Sequence, residues 1–205
     1  IDSVTETSAT VGWTINNEDA WGGRPLAYLR AKRCGYCADS RGFSWKVRLR
    51  YDTIFEGLLE KGYKLTNISS IDSVEDAQCG NRVLIVIIDT GEKKLRLRGN
   101  EFRRVMGSRV VKSSFFVFER EDSLKGGKYA AAPNKEGAEL KMKAVIGNYL
   151  EKVNKPRSLT IRGCGSGHGV GLCQSGARGL AELGASFREI LSFYYRNTKI
   201  SQMFR

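Results

Sequence analysis

The middle of the chain reads Arg82-Val-Leu-Ile-Val-Ile-Ile-Asp89, followed by Thr90-Gly91 and then by Lys94-Leu-Arg-Leu-Arg98. A short apolar run bounded by turn residues is typical of a strand that is buried on both faces. The alternating run that follows is typical of a strand with one solvent-exposed face. Thr90-Gly91 lies between the two runs, at the position of a hairpin turn. The sequence therefore predicts a β-hairpin around which the rest of the fold is built.

Shorter patterns surround this hairpin. Alternation over residues 43–51 predicts a half-buried strand, and residues 52–60 predict a short helix that stops at Gly62. Residues 63–71 and 110–118 have strand character. Asn100 is expected to cap a short helix over residues 101–106.

The C-terminal part favours two short helices. The first helix begins near Ser175 and ends near Gly184, and the second begins at the capping box Ser186-Phe-Arg-Glu189. Residues 121–140 are rich in Gly, Lys and Ala and are expected to form a mobile loop. Together these patterns predict an α+β fold of mixed, strand-rich type, with short helices and two of them at the C-terminus after a glycine-rich loop.

Length and composition are those of an ordinary globular protein. The chain has 205 residues, of which 41% are hydrophobic and 27% charged, and this length favours a single domain over residues 1–205. The longest apolar run, Val83 to Ile88, is too short for a transmembrane helix. The chain begins with Ile1 rather than Met, and any targeting segment is expected to have been removed or never included.

The formal net charge is +12, and the excess is unevenly distributed. Residues 1–80 hold 10 Lys/Arg against 11 Asp/Glu, whereas residues 81–205 hold 24 against 11. Such a field favours a polyanionic partner, which could be nucleic acid, anionic lipid or an acidic cell-wall polymer. The chain carries neither a zinc-finger pattern nor an RNA-recognition motif, so a nucleic-acid partner is the least favoured of the three.

Five cysteines cannot all pair within one chain; they are Cys34, Cys37, Cys79, Cys164 and Cys173. Cys34-x-x-Cys37 has half of a structural zinc spacing. A mixed site with His168 between Cys164 and Cys173 is also chemically reasonable. Zinc, a disulfide and buried thiols all remain open, with Cys34 and Cys37 as the first choice for metal ligands.

Glycine occupies every second position from Gly163 to Gly171, and His168 is the single histidine of the chain. Glycine allows positive φ and close backbone approach, so this run predicts a tight turn that presents one imidazole with both nitrogens reachable. The alternative is a structural histidine bonded to a buried carbonyl. A phosphate-binding loop is excluded because the run has neither the required spacing nor a nearby lysine.

The longest distinctive stretch is Gly165-Ser-Gly-His-Gly-Val-Gly-Leu-Cys-Gln-Ser-Gly-Ala177, followed by Gly179-Leu-Ala-Glu-Leu-Gly184 and Phe187-Arg-Glu-Ile-Leu-Ser-Phe-Tyr-Tyr195. It resembles the segment that closes domains of the sporulation stage II protein D (SpoIID/LytB) family. Weaker likeness extends over most of the chain, including Trp21 to Leu29 and Arg82 to Ile88.

The resemblance implies a lytic transglycosylase of peptidoglycan that prefers glycan strands without stem peptides. In that reaction a glutamic acid protonates the glycosidic oxygen, and its carboxylate then deprotonates the C6 hydroxyl of N-acetylmuramic acid, which closes to a 1,6-anhydro sugar. The reaction requires no cofactor. The resemblance also implies an extracytoplasmic location in the cell envelope or periplasm. The implied partners are peptidoglycan glycan strands and a cell-wall amidase or other envelope protein.

One departure from the family pattern bears on activity. The family's catalytic glutamate lies two residues before a proline, and no such pair surrounds Pro25, Pro133 or Pro156. The favoured explanation is that the domain is truncated before Ile1, so that this chain alone would be inactive. The alternative is a noncatalytic glycan-binding module that enhances an amidase.

The matching positions suggest which residues bind substrate. His168, Gln174 and Ser175 are expected to line a sugar-binding cleft, although Gln174 or Ser175 could instead cap the following helix. Tyr194 is a candidate for stacking on a sugar. At helical spacing from Ile190, however, either Tyr194 or Tyr195 is expected in the core.

Overall fold

The computed structural model describes residues 12–36, 44–76, 82–120 and 157–201. Within these residues the strand-rich α+β fold is confirmed, with its strands in three antiparallel sheets and two helices at the C-terminal end. The strands are β1 (Gly12–Trp13), β2 (Arg33–Cys34), β3 (Ser44–Arg50), β4 (Ser70–Asp76), β5 (Arg82–Asp89), β6 (Lys94–Arg98), β7 (Phe116–Arg120) and β8 (Ser158–Cys164). The helices are α1 (Asn17–Trp21), α2 (Tyr51–Glu60), α3 (Gly99–Met106), α4 (Gln174–Glu182) and α5 (Phe187–Tyr194).

The predicted hairpin forms the centre and one edge of the first sheet, whose order is β4-β5-β6. Ile87 of β5 is paired with Asp72 of β4 on one side and with Arg96 of β6 on the other. The turn closes through a hydrogen bond from the Thr90 amide to the Lys93 carbonyl, 2.9 Å long. Both faces of β5 are largely covered, as its apolar run predicted.

The second sheet has the order β3-β8-β7, so that β8 is its central strand. Ile161 of β8 is paired with Val47 on β3 and with Phe118 on β7. These residues face inwards, while Lys46 and Arg162 on the opposite face are exposed. The strand predicted over residues 43–51 is therefore confirmed as β3, and the third sheet contains only β1 and β2.

One large core lies between these sheets and the helices α2 and α3. Its fully buried members include Ile54, Phe55 and Leu58 of α2, Phe102 of α3 and Ile161 of β8. This arrangement follows from the apolar side of α2, which turns towards the sheet as its helical spacing requires. We call this group of residues the large core.

A second apolar group lies beneath the C-terminal helices and is much smaller. Its buried members are Cys34, Cys173, Ile190, Tyr194 and Tyr195. The two helices above it were predicted from sequence, and the Ser186–Glu189 capping box is formed as expected. We call this group the small cluster.

Two predicted strands are largely absent. Residues 63–69 are not a strand, because the Tyr63 amide still donates to the Leu58 carbonyl at the end of α2, and pairing with β5 begins only at Ser70. Similarly, strand β7 begins at Phe116 rather than near residue 110. The intervening residues make tight turns, such as the one closed by the Val111 amide on the Gly107 carbonyl.

Helix α3 also begins earlier than predicted. Its N-cap is Arg98, whose amide donates to the Glu101 carboxylate, so Asn100 lies inside the helix and does not cap it. Residues 17–21 form a helix that the sequence did not indicate. The loop expected at residues 121–140 lies outside the described residues. Among those that are described, no helix is both long and apolar enough to cross a membrane.

Candidate functional site

The glycine segment, defined here as residues 163–171, is fixed by hydrogen bonds from separate parts of the chain. The Trp45 indole donates to the Gly165 carbonyl at 2.9 Å, and the Gly167 amide donates to the Lys112 carbonyl at 2.8 Å. The Ile15 amide donates to the Gly169 carbonyl, also at 2.8 Å. Because these bonds come from several elements, the segment forms a fixed turn on the surface of the large core.

The segment needs glycine for conformation and for space. Gly165, Gly167, Gly169 and Gly171 all have positive φ, a region that side chains disfavour. A Cβ at Gly169 would also lie 3.0 Å from the guanidinium carbon of Arg82. Arg82 is only 1% exposed and donates to the Ser114 hydroxyl and to the Trp13 carbonyl. A buried arginine therefore supports the segment from behind.

His168 is half-buried and contacts an exposed tryptophan. The centroid of its ring lies 5.0 Å from that of Trp21, with the planes tilted by 53°. Trp21 is 47% exposed, which is unusual for the largest aromatic side chain. The two rings form an aromatic surface open to solvent on one side.

One ring nitrogen of His168 already accepts a hydrogen bond from the protein backbone. The Val170 amide donates to Nδ1 at 3.1 Å, so in the neutral ring the proton is on Nε2. The sequence-based expectation that both nitrogens would be reachable is therefore wrong for Nδ1. The His168 carbonyl accepts a hydrogen bond from the Asn100 side-chain amide at 2.9 Å, which holds the backbone on its other side.

Trp21 is held by the loop that follows it. The Asn17 side chain donates to the Arg24 carbonyl and accepts from the Leu26 amide, each at 2.9 Å. Arg30 pairs with Glu18, one turn before Trp21 on the same helix. This pairing lowers the pKa of Glu18 chiefly through the hydrogen bond from Arg30, so Glu18 is a carboxylate at neutral pH and is poorly suited to act as a general acid.

Arg98 lies beside Gly22, the residue that follows Trp21. Its Nη2 atom would be 2.7 Å from a Cβ placed on Gly22, and its guanidinium carbon 2.8 Å, so the guanidinium rests against the Gly22 backbone. The side chain is exposed and forms no ion pair with another described residue. A cation thus lies beside the residue that follows Trp21.

Gln174 and Ser175 are the first two residues of α4. Gln174 is exposed and Ser175 half-buried. The cap of this helix is Cys173, whose sulfur accepts from the Gly176 amide at 3.3 Å. Their expected role in substrate binding remains a prediction.

Tyr194 is 2% exposed, and its hydroxyl lies 3.0 Å from the sulfur of Cys34. A ring buried in the small cluster offers no face to a sugar, so we leave Tyr194 out of the proposed site. This burial agrees with the alternative that a tyrosine of this helix packs in the core.

The zinc prediction rests on Cys34 and Cys37. Cys34 is buried on β2, whereas Cys37 lies outside the described residues. Within the described part of the chain, no group of three or more His, Cys, Asp or Glu side chains could hold a metal ion. Burial raises the pKa of the Cys164 thiol, which disfavours the thiolate that a metal would need. The Cys34/Cys37 zinc site stays a prediction.

A surface cavity of about 650 Å³ lies between the end of α2 and the β5–β6 turn. Its walls include Leu59, Tyr63 and Lys93. No described residue that lines it belongs to the glycine segment or to α1. This cavity is therefore separate from the surface formed by Trp21 and His168.

The sequence pointed to His168 but not to its neighbours Trp21 and Asn100. From the sequence, Trp21 belongs only to a turn and to the region of weaker family likeness, and Asn100 is expected only to cap a helix. The one local signal is Trp21-Gly22-Gly23, an aromatic residue followed by two glycines. Nothing local to the sequence connects it to His168.

Comparison with known proteins gives partial matches. No protein-family model matches the chain. It is 27% identical over 156 residues to an uncharacterized protein of Brachyspira hyodysenteriae, covering 76% of this chain and 32% of that protein. It is 50% identical over 42 residues to the amidase enhancer of Bacillus subtilis, covering 20% of this chain and 6% of that protein. The chain thus spans a third or less of these relatives.

Proposed function

We propose that this chain is a cell-wall glycan-binding module, related to the SpoIID/LytB family, that enhances the activity of a cell-wall amidase. The observation that carries the proposal is the exposed Trp21 ring packed on His168. A tryptophan held in this way offers an apolar face and a polar N–H edge, which suits the alternating C–H and hydroxyl groups of a sugar ring. The rigid glycine segment keeps the surface in place before ligand binds.

Two further observations support it. The short, highly similar stretch shared with an amidase enhancer favours this function over enzymatic activity. The concentration of positive charge in residues 81–205 suits an acidic envelope polymer. An extracytoplasmic location, with peptidoglycan strands and an amidase as partners, is part of the same proposal.

A lytic transglycosylase is the second candidate and has less support. It rests on the resemblance of residues 165–195 to that family. Glu18, the glutamate on α1, has a lowered pKa, whereas the reaction needs a protonated glutamic acid.

The test is sedimentation of the 205-residue chain with peptidoglycan from which stem peptides have been removed. We expect saturable binding that Trp21→Ala weakens about tenfold or more, because removing a tryptophan at the centre of a contact is usually costly. Phe187→Ala is the matched control, since Phe187 is 62% exposed on α5 and lies outside the proposed surface. Wild-type protein that stays in the supernatant would refute the proposal.

A second assay separates the two functions. Intact peptidoglycan is digested by a cell-wall amidase with and without the chain, and the products are analysed by mass spectrometry. A higher rate of peptide release supports the enhancer. Formation of 1,6-anhydro sugars by the chain alone would support the transglycosylase and would overturn the expectation that this chain lacks the catalytic acid. An unchanged amidase rate would contradict the enhancing role while leaving glycan binding open to the first test.

A further inference from the structure

We infer that the outer face of strand β6 binds a linear phosphodiester polymer of the glycerol phosphate type. The basis is a row of three cations at alternate positions of that strand, Lys94, Arg96 and Arg98, which we call the β6 row. The polymer has no sugar ring in its backbone, and the surface is not the one formed by Trp21 and His168. The inference therefore goes beyond the proposed function.

The β6 row is accessible along its whole length. Successive side chains of a strand point to opposite faces, and Leu97 points into the large core, so the three cations point the other way. All three are exposed. In the described sheet, β6 is an edge strand that pairs only with β5. A ligand can therefore reach the row from solvent, both across its face and along its edge.

Strand β3 carries a second row of the same kind, which serves as a comparison. It reads Lys46-Val-Arg-Leu-Arg50, while β6 reads Lys94-Leu-Arg-Leu-Arg98. Each strand thus presents one lysine and two arginines at alternate positions. We call the first set the β3 row. The two rows have equal charge, so any difference between them comes from their surroundings.

The β3 row is bonded within the protein, and the β6 row is not. The partners of the β3 row are the Glu119 carboxylate for Lys46 at 3.3 Å, the Ser158 hydroxyl for Arg48 at 2.8 Å, and the Asp52 carboxylate for Arg50. Within the described part of the chain, no member of the β6 row forms an ion pair. Asp89, opposite Lys94 in register, accepts instead from the Gly91 amide at 2.7 Å. The β6 row therefore has charge to offer to a ligand.

The spacing of the β6 row favours a polymer with a matching repeat. Neighbouring cations are separated by six backbone bonds, which span about 6.8 Å along a strand. One glycerol phosphate unit also contributes six backbone bonds, which span about 7 Å when extended, as two residues of polypeptide do. Three successive phosphates can therefore each meet one cation. Lysine and arginine both bind phosphate oxygens through charge-assisted hydrogen bonds.

A nucleotide has the same backbone repeat, so the choice between the two polymers depends on the surroundings of the row. Single-stranded nucleic acids are held by aromatic side chains on which the bases stack. Over the ranges that the structure gives them, β4, β5 and β6 contain no aromatic residue. The side chains opposite the row in register include Ile85 and Ile87, which are half-buried. A polymer without bases therefore fits this face better.

The experiment measures the fluorescence anisotropy of an end-labelled glycerol phosphate oligomer as the 205-residue chain is added, at low and at raised salt. The double variant Lys94→Gln/Arg96→Gln should bind about tenfold more weakly. The slope of log affinity against log salt should fall by about one for each cation removed. Lys46→Gln/Arg48→Gln is the matched control, because it removes the same charge from the β3 row, and it should bind like the wild type.

Folding and the proposed function are checked separately. All four substituted side chains are exposed, so circular dichroism and urea denaturation of both double variants should match the wild type. Peptidoglycan for the sedimentation test is purified free of phosphate polymers. Failure of either proposal therefore leaves the other standing.

Two further ligands identify the source of the phosphate. An oligothymidylate with the same number of phosphates and vesicles of phosphatidylglycerol should both bind more weakly than the glycerol phosphate oligomer, and tighter binding of either overturns the inference. Equal losses in the two double variants also overturn it, because binding would then follow net charge alone. If the wild-type chain binds none of the three ligands, the inference fails and the row only keeps an edge strand from pairing with another chain.

Discussion

The large core and the glycine segment are stabilised in opposite ways. The large core is an apolar cluster in which Phe55, Ile54 and Ile161 are fully buried. The glycine segment contributes one buried apolar side chain, Val170, and is held by directional hydrogen bonds with Trp45, Lys112 and Asn100. Substitutions in the large core should therefore lower the free energy of unfolding, whereas substitutions that disturb the glycine segment should change the geometry of the binding surface. Substitutions that affect one without the other test this division.

The largest effect is expected in the large core. Phe55→Ala leaves a cavity at a fully buried position of α2 and should lower the free energy of unfolding by about 3 to 5 kcal/mol. Urea denaturation followed by circular dichroism measures it. The exposed Phe187→Ala should stay within about 0.5 kcal/mol. Comparable losses for both variants would mean that the large core does not dominate stability.

Trp45 belongs to both regions, so Trp45→Phe should affect both. Its ring packs in the large core, and its indole donates to the Gly165 carbonyl. Losing that donor leaves a buried carbonyl unsatisfied and should cost about 1 to 3 kcal/mol of stability. Affinity for stripped glycan should fall several-fold at a temperature where the variant is folded. Unchanged affinity would show that the glycine segment does not depend on this anchor.

The small cluster should contribute stability without affecting binding. Tyr194→Phe removes the hydroxyl that lies 3.0 Å from the Cys34 sulfur and should cost about 0.5 to 1.5 kcal/mol. Glycan affinity should not change, because the ring is buried away from solvent. A tenfold loss of glycan affinity in folded protein would show that Tyr194 does contribute to glycan binding.

The smallest effect concerns the loop behind Trp21 and depends on pH. Arg30 lowers the pKa of Glu18 in the folded state below its usual value of 4.5. The pairing therefore adds stability that is fully present above about pH 4.5 and is lost as the pH falls through the lowered pKa. Comparing wild type with Glu18→Gln should show a difference under about 1 kcal/mol at pH 7 that vanishes in acid. A difference that grows on acidification would contradict this sign.

The sequence predicted elements whose causes are local. The hairpin Arg82–Asp89 and Lys94–Arg98 follows from its own apolar pattern, and the last helix follows from Ser186 and Glu189. The strand predicted after Tyr63 failed because the end of α2 keeps that residue in a turn. The hydrogen bond from the Tyr63 amide to the Leu58 carbonyl prevents a strand there, and the pattern of apolar residues gives no sign of that bond.

The site could be predicted only in part, because its contacts join distant positions. His168 stood out as a lone histidine among glycines, yet its ring partner Trp21 lies far back along the chain. Asparagine is a residue type that favours helix caps, but the side-chain amide of Asn100 donates a hydrogen bond to the His168 carbonyl instead. No local period encodes either contact, so both required the folded chain.

The most direct measurement of the central claim uses the fact that His168 is the single histidine of the chain. Its imidazole carbon-bound protons therefore give unique NMR signals that can be followed while stripped glycan oligomer is added. If the Trp21–His168 surface binds glycan, these signals shift saturably, with the affinity found by calorimetry. Signals that stay in place while calorimetry reports binding would show that the glycan binds elsewhere.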